Sequence, residues 1–255
     1  MRVTICELPH EAEALEVSWR ALGQHVAVGG GELLLLPELA MVEPLWERRA
    51  FDPSRWAAAE EMGERCLARL GELNARYVVG TRAATREGRY FNEGFLWSAG
   101  HGTIPLRRKY FLPDEPGGWE AQWFDRGDRE FPVYHVDQMS FGLNVCTELW
   151  ALETYGAYAA EGVQMVFSPR ATSTETSAKW HSAGVVAAVR SGAYSVSSNR
   201  VEPSGACGGE GWIIGPSGQL IARTSAESPF ATVELDLGVP AAARSSYPRY
   251  VFAPG

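Results

Sequence analysis

Apolar residues along the chain recur in two periods, and the two alternate from end to end. Arg2–Glu7 alternates as a strand. Glu11–Val28 is rich in Ala, Leu and Val at helical spacing, and Gly29-Gly30-Gly31 stops it. Glu32–Leu36 is nearly continuous leucine, the pattern of a strand buried on both faces, and it ends at Pro37-Glu38. Asp52-Pro53 reads as a helix start, with a capping carboxylate and proline in the first turn. The stripe Ala59, Met62, Cys66, Leu70 and Leu73 carries that helix forward. Tyr77–Gly80 and Tyr90–Trp97 follow as strands.

Pro105–Arg129 has no period and reads as long loops, the usual home of functional groups. Regularity returns with the strand Phe141–Val145, a helix over Glu148–Glu161, a strand over Val163–Ser168, a helix over Glu175–Arg190 and a strand over Tyr194–Ser198. Gly211–Ile214, the turn Gly215-Pro216-Ser217-Gly218 and Gln219–Thr224 give a hairpin signal, and Phe230–Asp236 is a last strand. No linker or internal repeat interrupts the alternation, so residues 1–255 are expected to form one α/β domain. Residues 240–255 form a tail whose aromatics, Tyr247, Tyr250 and Phe252, are expected to pack on a surface, that of a partner subunit.

Composition narrows the function. The 255 residues are 45% hydrophobic and 21% charged, which excludes disordered, collagen-like and coiled-coil chains. A net charge of −8 disfavours nucleic acid and anionic membranes, which demand clustered cations. The N-terminus enters a strand with no apolar leader, and the longest apolar run, Leu33–Pro37, is far short of the roughly 20 residues of a membrane helix. The expectation is a soluble cytoplasmic protein. Cys6, Cys66, Cys146 and Cys207 contain no CxxC pair, so neither a zinc site nor a disulfide framework is indicated.

In α/β folds reactive groups collect beyond the carboxyl ends of strands. Glu38, Lys109 and Cys146 occupy such positions. A carboxylate takes a thiol proton, the thiolate attacks an acyl carbon, and an ammonium holds the oxyanion. The backbone N–H of Thr147, at the start of the helix after the cysteine, offers a second oxyanion donor. Together these groups make an acyl-transfer set without histidine. A Cys–His site using His101, His135 or His181 has no local signature. Arg107 and Arg108 read as part of a solvated basic face.

Leu36-Pro37-Glu38, Arg107–Pro113 and Gly142–Glu148 resemble, in order and separation, the three signature segments of the nitrilase superfamily of carbon–nitrogen hydrolases. Asp114–Glu120 resembles the loop after the lysine in amidase-type members such as the carbamoylputrescine amidases. Glu161-Gly162-Val163 with Phe167-Ser168-Pro169, Ser198–Val201 and Gly209–Pro216 resemble later family segments. The resemblance implies a four-layer α-β-β-α sandwich, a Glu38–Lys109–Cys146 triad with Glu120 beside it, and homodimers or larger homo-oligomers.

It further implies hydrolysis of a small amide or N-carbamoyl compound through a cysteine thioester, with neither metal nor organic cofactor. The alternatives are a nitrilase acting on a nitrile, and a non-catalytic binding member of the fold. Three positions depart from the family pattern. Phe111 stands where histidine is usual, Ala151-Leu152-Glu153 where many members have aromatic-Pro-Glu, and Thr147 where many nitrile hydrolases have tryptophan. Arg170 and Thr172, beyond the Val163–Ser168 strand, are expected to meet the substrate, with Glu43, Trp150 and Tyr110 lining the pocket.

Overall fold

A computed structural model describes residues 1–252. β1 (Arg2–Leu8) leads into α1 (Ala12–Gly29), which closes on left-handed Gly30. β2 (Leu33–Leu35) is short because its neighbours pair with three residues of it. α2 (Pro53–Leu67) starts as its sequence dictates, with the Asp52 carboxylate accepting from the N–H of Ser54 at 2.9 Å.

β3 (Tyr77–Arg86) and β4 (Arg89–Ser98) form a long hairpin, with β5 (Gly102–Arg108) along its edge. The expected loop from Pro105 therefore begins later. Pro105 sits on an edge strand, where a missing donor is tolerated. β6 (Tyr134–Val136), β7 (Met139–Leu143), α3 (Glu153–Glu161), β8 (Met165–Arg170), α4 (Ser177–Ser191) and β9 (Tyr194–Arg200) follow. The hairpin β10 (Trp212–Ile214) and β11 (Leu220–Arg223), then β12 (Phe230–Glu234) and α5 (Val239–Ala243), complete the regular elements among the described residues.

The strand order is β5-β4-β3-β2-β1-β9-β8-β7-β6, with β12 added to β1 and β10-β11 added to β9. The sheet folds on itself where β1 changes partner. Arg2–Cys6 pairs with β12, whereas Glu7 and Leu8 pair with Asn199 and Arg200 of β9. Val3, Ile5, Leu33, Leu35 and Val79 of one half face Phe141, Leu143, Phe167 and Val196 of the other across a common core. On the outer face of the first half Leu34, Leu36 and Val78 pack under Trp19, Leu22 and Cys66 of α1 and α2. On the outer face of the second half Val166 and Trp212 pack under Tyr155, Tyr158 and Ala187 of α3 and α4. Helix, sheet, sheet and helix thus stack in four layers, as expected.

The expected helix over Glu148–Glu161 divides in two. A 3₁₀ turn spans Cys146–Trp150, and α3 begins only at Glu153. The cause is local. Cys146 takes a left-handed φ of +48°, and the Glu148 side chain bonds back to the N–H of Val145 at 2.9 Å. Gly142 is required upstream of this turn: any Cβ there would overlap the Tyr158 ring. Thr147 therefore lies inside a single 3₁₀ turn, without the macrodipole of a long helix behind it.

Candidate active site

Glu38 leaves β2 on a turn whose strain is held from three sides. Leu39, the next residue, has φ +44°. Its N–H donates to Thr81 Oγ1 at 2.8 Å, the Glu38 N–H donates to the Arg170 carbonyl at 3.2 Å, and Arg200 Nη1 donates to the carbonyls of Leu39 and Val42 at 3.1 and 3.0 Å. A left-handed non-glycine residue costs about 1–3 kcal/mol and persists only where its surroundings over-determine it. The two at this site, Leu39 and Cys146, adjoin or are candidate reacting residues.

Lys109 follows β5. Its backbone N–H donates to the Asn92 carbonyl at 2.9 Å, and its carbonyl accepts from Gly127 at 3.0 Å. Its ammonium is fully buried and lies 2.7 Å from Glu38 Oε1 and 2.7 and 2.9 Å from the two oxygens of Glu120. Burial opposes its charge, but Glu120 and Glu38 outweigh that and raise the Lys109 pKa above its ordinary value. Its three N–H donors match three bonds, one to Glu38 and one to each Glu120 oxygen. Burial first, and then the negative charge of Glu38, lift the Glu120 pKa to about 7 despite Lys109.

Cys146 is buried beside these groups, and the charges of Glu38, Lys109 and Glu120 act on its thiol. Burial and the Glu38 charge hold its thiol well above its ordinary pKa, against the pull of Lys109. The group therefore rests as a thiol, and an attack by its sulfur would require a base.

Sequence reasoning missed the polar frame behind these residues. Glu148 is fully buried and collects donors from both sides of the site: both terminal nitrogens of Arg107, the N–H of Tyr110 at 2.7 Å, the N–H of Phe111 at 3.4 Å and the N–H of Val145 at 2.9 Å. It ties the lysine segment to the cysteine turn. Arg107 is accordingly buried, with its guanidinium 3.9 Å from the Phe131 ring centroid, and the expectation of a solvated Arg107 is corrected. Arg108 points the other way, toward Glu93 at 3.6 Å. Asn144 supports the turn from behind by donating to the Glu148 carbonyl at 2.8 Å and accepting from the Tyr158 hydroxyl at 2.9 Å. Asn92 donates to Glu38 Oε1 at 2.9 Å.

The expected pocket residues divide. Arg170 is buried, with Nε, Nη1 and Nη2 donating to Ser197, Thr172 and the Glu210 carbonyl at 2.7, 2.6 and 2.8 Å, and it stacks 4.0 Å from the Trp212 centroid. Its place is that of a strut, with Thr172 as one of its partners. Tyr110 is half-buried, and its ring lies 5.1 Å from Phe111. Trp150 is exposed and packs against Trp180, with ring centroids 5.6 Å apart and the planes tilted by 55°. Glu43 is exposed and pairs with Arg55 at 2.6 Å. It stands on the rim of a groove of roughly 790 Å³ between α1 and α2, which contains none of Glu38, Lys109, Glu120 and Cys146. Among the described residues no group of three or more His, Cys, Asp or Glu is placed to hold a metal ion, and no helix is long and apolar enough to cross a membrane.

The family model described as carbon–nitrogen hydrolase matches residues 2–245. N-carbamoylputrescine amidases from Solanum lycopersicum and Oryza sativa subsp. japonica are 30% and 25% identical over 86 and 149 residues. Those stretches cover 34% and 52% of this chain, but only 29% and 50% of the relatives' own length. The crystal structure of a carbon–nitrogen hydrolase from Helicobacter pylori superposes with a TM-score of 0.86 at 20% identity, covering 98% of this chain and 94% of that one. A mutant amidase from Nesterenkonia sp., showing the result of Michael addition of acrylamide at its active site cysteine, gives 0.74 at 21% identity, with 96% and 97% covered.

Proposed function

The chain belongs to the carbon–nitrogen hydrolase family, and on that premise we propose that it hydrolyses a small linear amide or N-carbamoyl compound through a thioester on Cys146. The observation that carries this reading is the buried Lys109 ammonium held between Glu38 and Glu120 beside a protonated thiol.

Glu38 removes the Cys146 thiol proton as sulfur attacks the carbonyl carbon. The oxyanion takes a Lys109 N–H that turns from one Glu120 oxygen, and the backbone N–H of Thr147. As the tetrahedral intermediate collapses, Glu38 returns its proton to the leaving nitrogen, and ammonia or an amine departs. Water then attacks the thioester. Glu38, with Glu120 beside it, takes the water proton and passes it to the departing sulfur, which frees the acid and restores the thiol. Arg170 and Thr172 act in this scheme by holding the backbone beside the thiol rather than as an open cation for the substrate.

The N-carbamoylputrescine amidase relatives and the presence of Thr147 favour amides and carbamoyl compounds over nitriles. The four cysteines are free, which suits a cytoplasmic location. Tyr247, Tyr250 and Phe252 are exposed on a tail anchored to its own chain through Arg249, which donates to the Val189 and Pro216 carbonyls at 3.0 and 2.7 Å. These aromatics support a homo-oligomeric contact; residues 253–255 of the tail lie outside the described residues.

The test is ammonia release from a panel of N-carbamoyl compounds, primary carboxamides and nitriles, with mass spectrometry of the Cys146 peptide. Turnover of the first two classes, an acyl adduct on Cys146 and no turnover by Cys146→Ala are expected. Turnover of nitriles alone would shift the reading to a nitrilase. Turnover by Cys146→Ala would end it.

A further inference from the structure

We propose that Asn92 is a positioning residue that decides which oxygen of Glu38 receives the thiol proton. The inference rests on the reading of Glu38 as the base. Two donors converge on Oε1, Lys109 Nζ at 2.7 Å and Asn92 Nδ2 at 2.9 Å. Among the described residues no hydrogen bond reaches Oε2. An oxygen with both lone-pair sites engaged is the poorer proton acceptor, so the proton goes to Oε2. Lys109 alone leaves the carboxylate free to turn about a single contact; the second donor fixes it.

The amide orientation follows from the same network. Asn92 is buried, and its Oδ1 is buried without a partner. Flipping the amide would set Oδ1 against Glu38 Oε1, acceptor against acceptor. A buried carbonyl without a partner is a cost that the fold carries. What is gained in exchange is a donor aimed at the base. The same residue also reaches the ammonium strand, because its backbone carbonyl accepts from the Lys109 N–H at 2.9 Å. One residue of β4 therefore sets both the base and the lysine, at the point where the β4–β5 register shifts between Glu93 and Phe95.

Iodoacetamide serves as the probe, since it reports thiol deprotonation without knowledge of the substrate. Sulfur bonds to the methylene carbon, iodide leaves and the thiol proton passes to Glu38. The rate of Cys146 alkylation is followed by peptide mass spectrometry between pH 5 and 9 in the full-length protein. A hydrogen bond to a charged group supports an effect of about tenfold or more. Asn92→Leu is expected to slow alkylation at neutral pH by about that factor and to move the acid limb of the profile upward. Asn92→Asp, equal in shape but without the donor, is expected to be slowed too. In a Glu38→Gln background neither substitution has a further effect, because Asn92 acts through that carboxylate. Thermal unfolding accompanies each variant, and Asn92→Ala replaces Asn92→Leu if the latter does not fold. A wild-type rate and profile for Asn92→Asp, or an equal slowing in the Glu38→Gln background, overturns the inference. An unchanged rate for Glu38→Gln alone overturns instead the reading of Glu38 as the base.

Discussion

The Arg107–Glu148 pair gives the most demanding test of how the site is held. Glu148→Leu leaves the Arg107 cation buried with the Glu130 carbonyl at 2.9 Å as its remaining partner, and strips the N–H groups of Val145 and Tyr110 of their acceptor. Breaking a buried pair from one side costs about 3–5 kcal/mol, and each orphaned buried donor adds about 1–3 kcal/mol. The lower ends alone reach about 5 kcal/mol, the whole stability of many domains.

Arg107→Met is different. The stranded Glu148 carboxylate keeps three backbone donors, so the cost falls at the low end, about 3 kcal/mol. The double variant removes the stranded charge and retains only the orphaned N–H groups, at about 2–6 kcal/mol. Stability is therefore expected to fall in the order wild type, the two Arg107→Met variants, Glu148→Leu, with Arg107→Met partly rescuing Glu148→Leu. Urea unfolding followed by fluorescence of the nine tryptophans measures the series. A double variant less stable than Glu148→Leu, or an Arg107→Met as damaged as Glu148→Leu, would refute the reasoning.

Two further outcomes follow. The folded chain binds a proton on Glu120 up to about pH 7, whereas the unfolded chain releases it near the ordinary value of 4.5. Folding stability from this group therefore falls as pH rises across that window, by on the order of 1–3 kcal/mol. The wild type should lose stability between pH 5 and pH 8 relative to Glu120→Gln, and parallel urea midpoints would contradict this. Ending the chain at Pro240 removes the exposed aromatics and is expected to lower the oligomer order by light scattering; an unchanged oligomer takes the tail out of the interface.

Much of the layer order was legible because it rests on local periodicity. The Asp52 cap, the glycine stop of α1 and the strand ends at Glu38 and Cys146 are all short-range features, and reactive positions follow strand ends. The frame was not legible, because a buried charge acquires its meaning from a distant partner. Glu148 reads as an acid in a first helical turn, and its partner Arg107 lies 41 residues away. One signal was available. In a strand Arg107 and Lys109 share a face while Arg108 takes the other, so a buried Lys109 implies a buried Arg107. The split of the Glu148–Glu161 segment was hidden for a related reason. Its cause is a left-handed φ at Cys146 fixed by tertiary bonds, which no propensity of cysteine announces.

The fold line at β1 has a consequence for the life of the molecule. Glu38 and Lys109 hang from one half of the sheet and Cys146 from the other, and between β1 and β9 the ladder joins the halves only at Glu7–Asn199 and Leu8–Arg200. Until that seam closes, Cys146 lies apart from Glu38 and Lys109, the two groups that the proposed reaction requires beside it. On the proposed mechanism, a chain whose two halves have not closed on each other therefore lacks the acyl-transfer set altogether. Closure of the seam and assembly of the candidate site are one event.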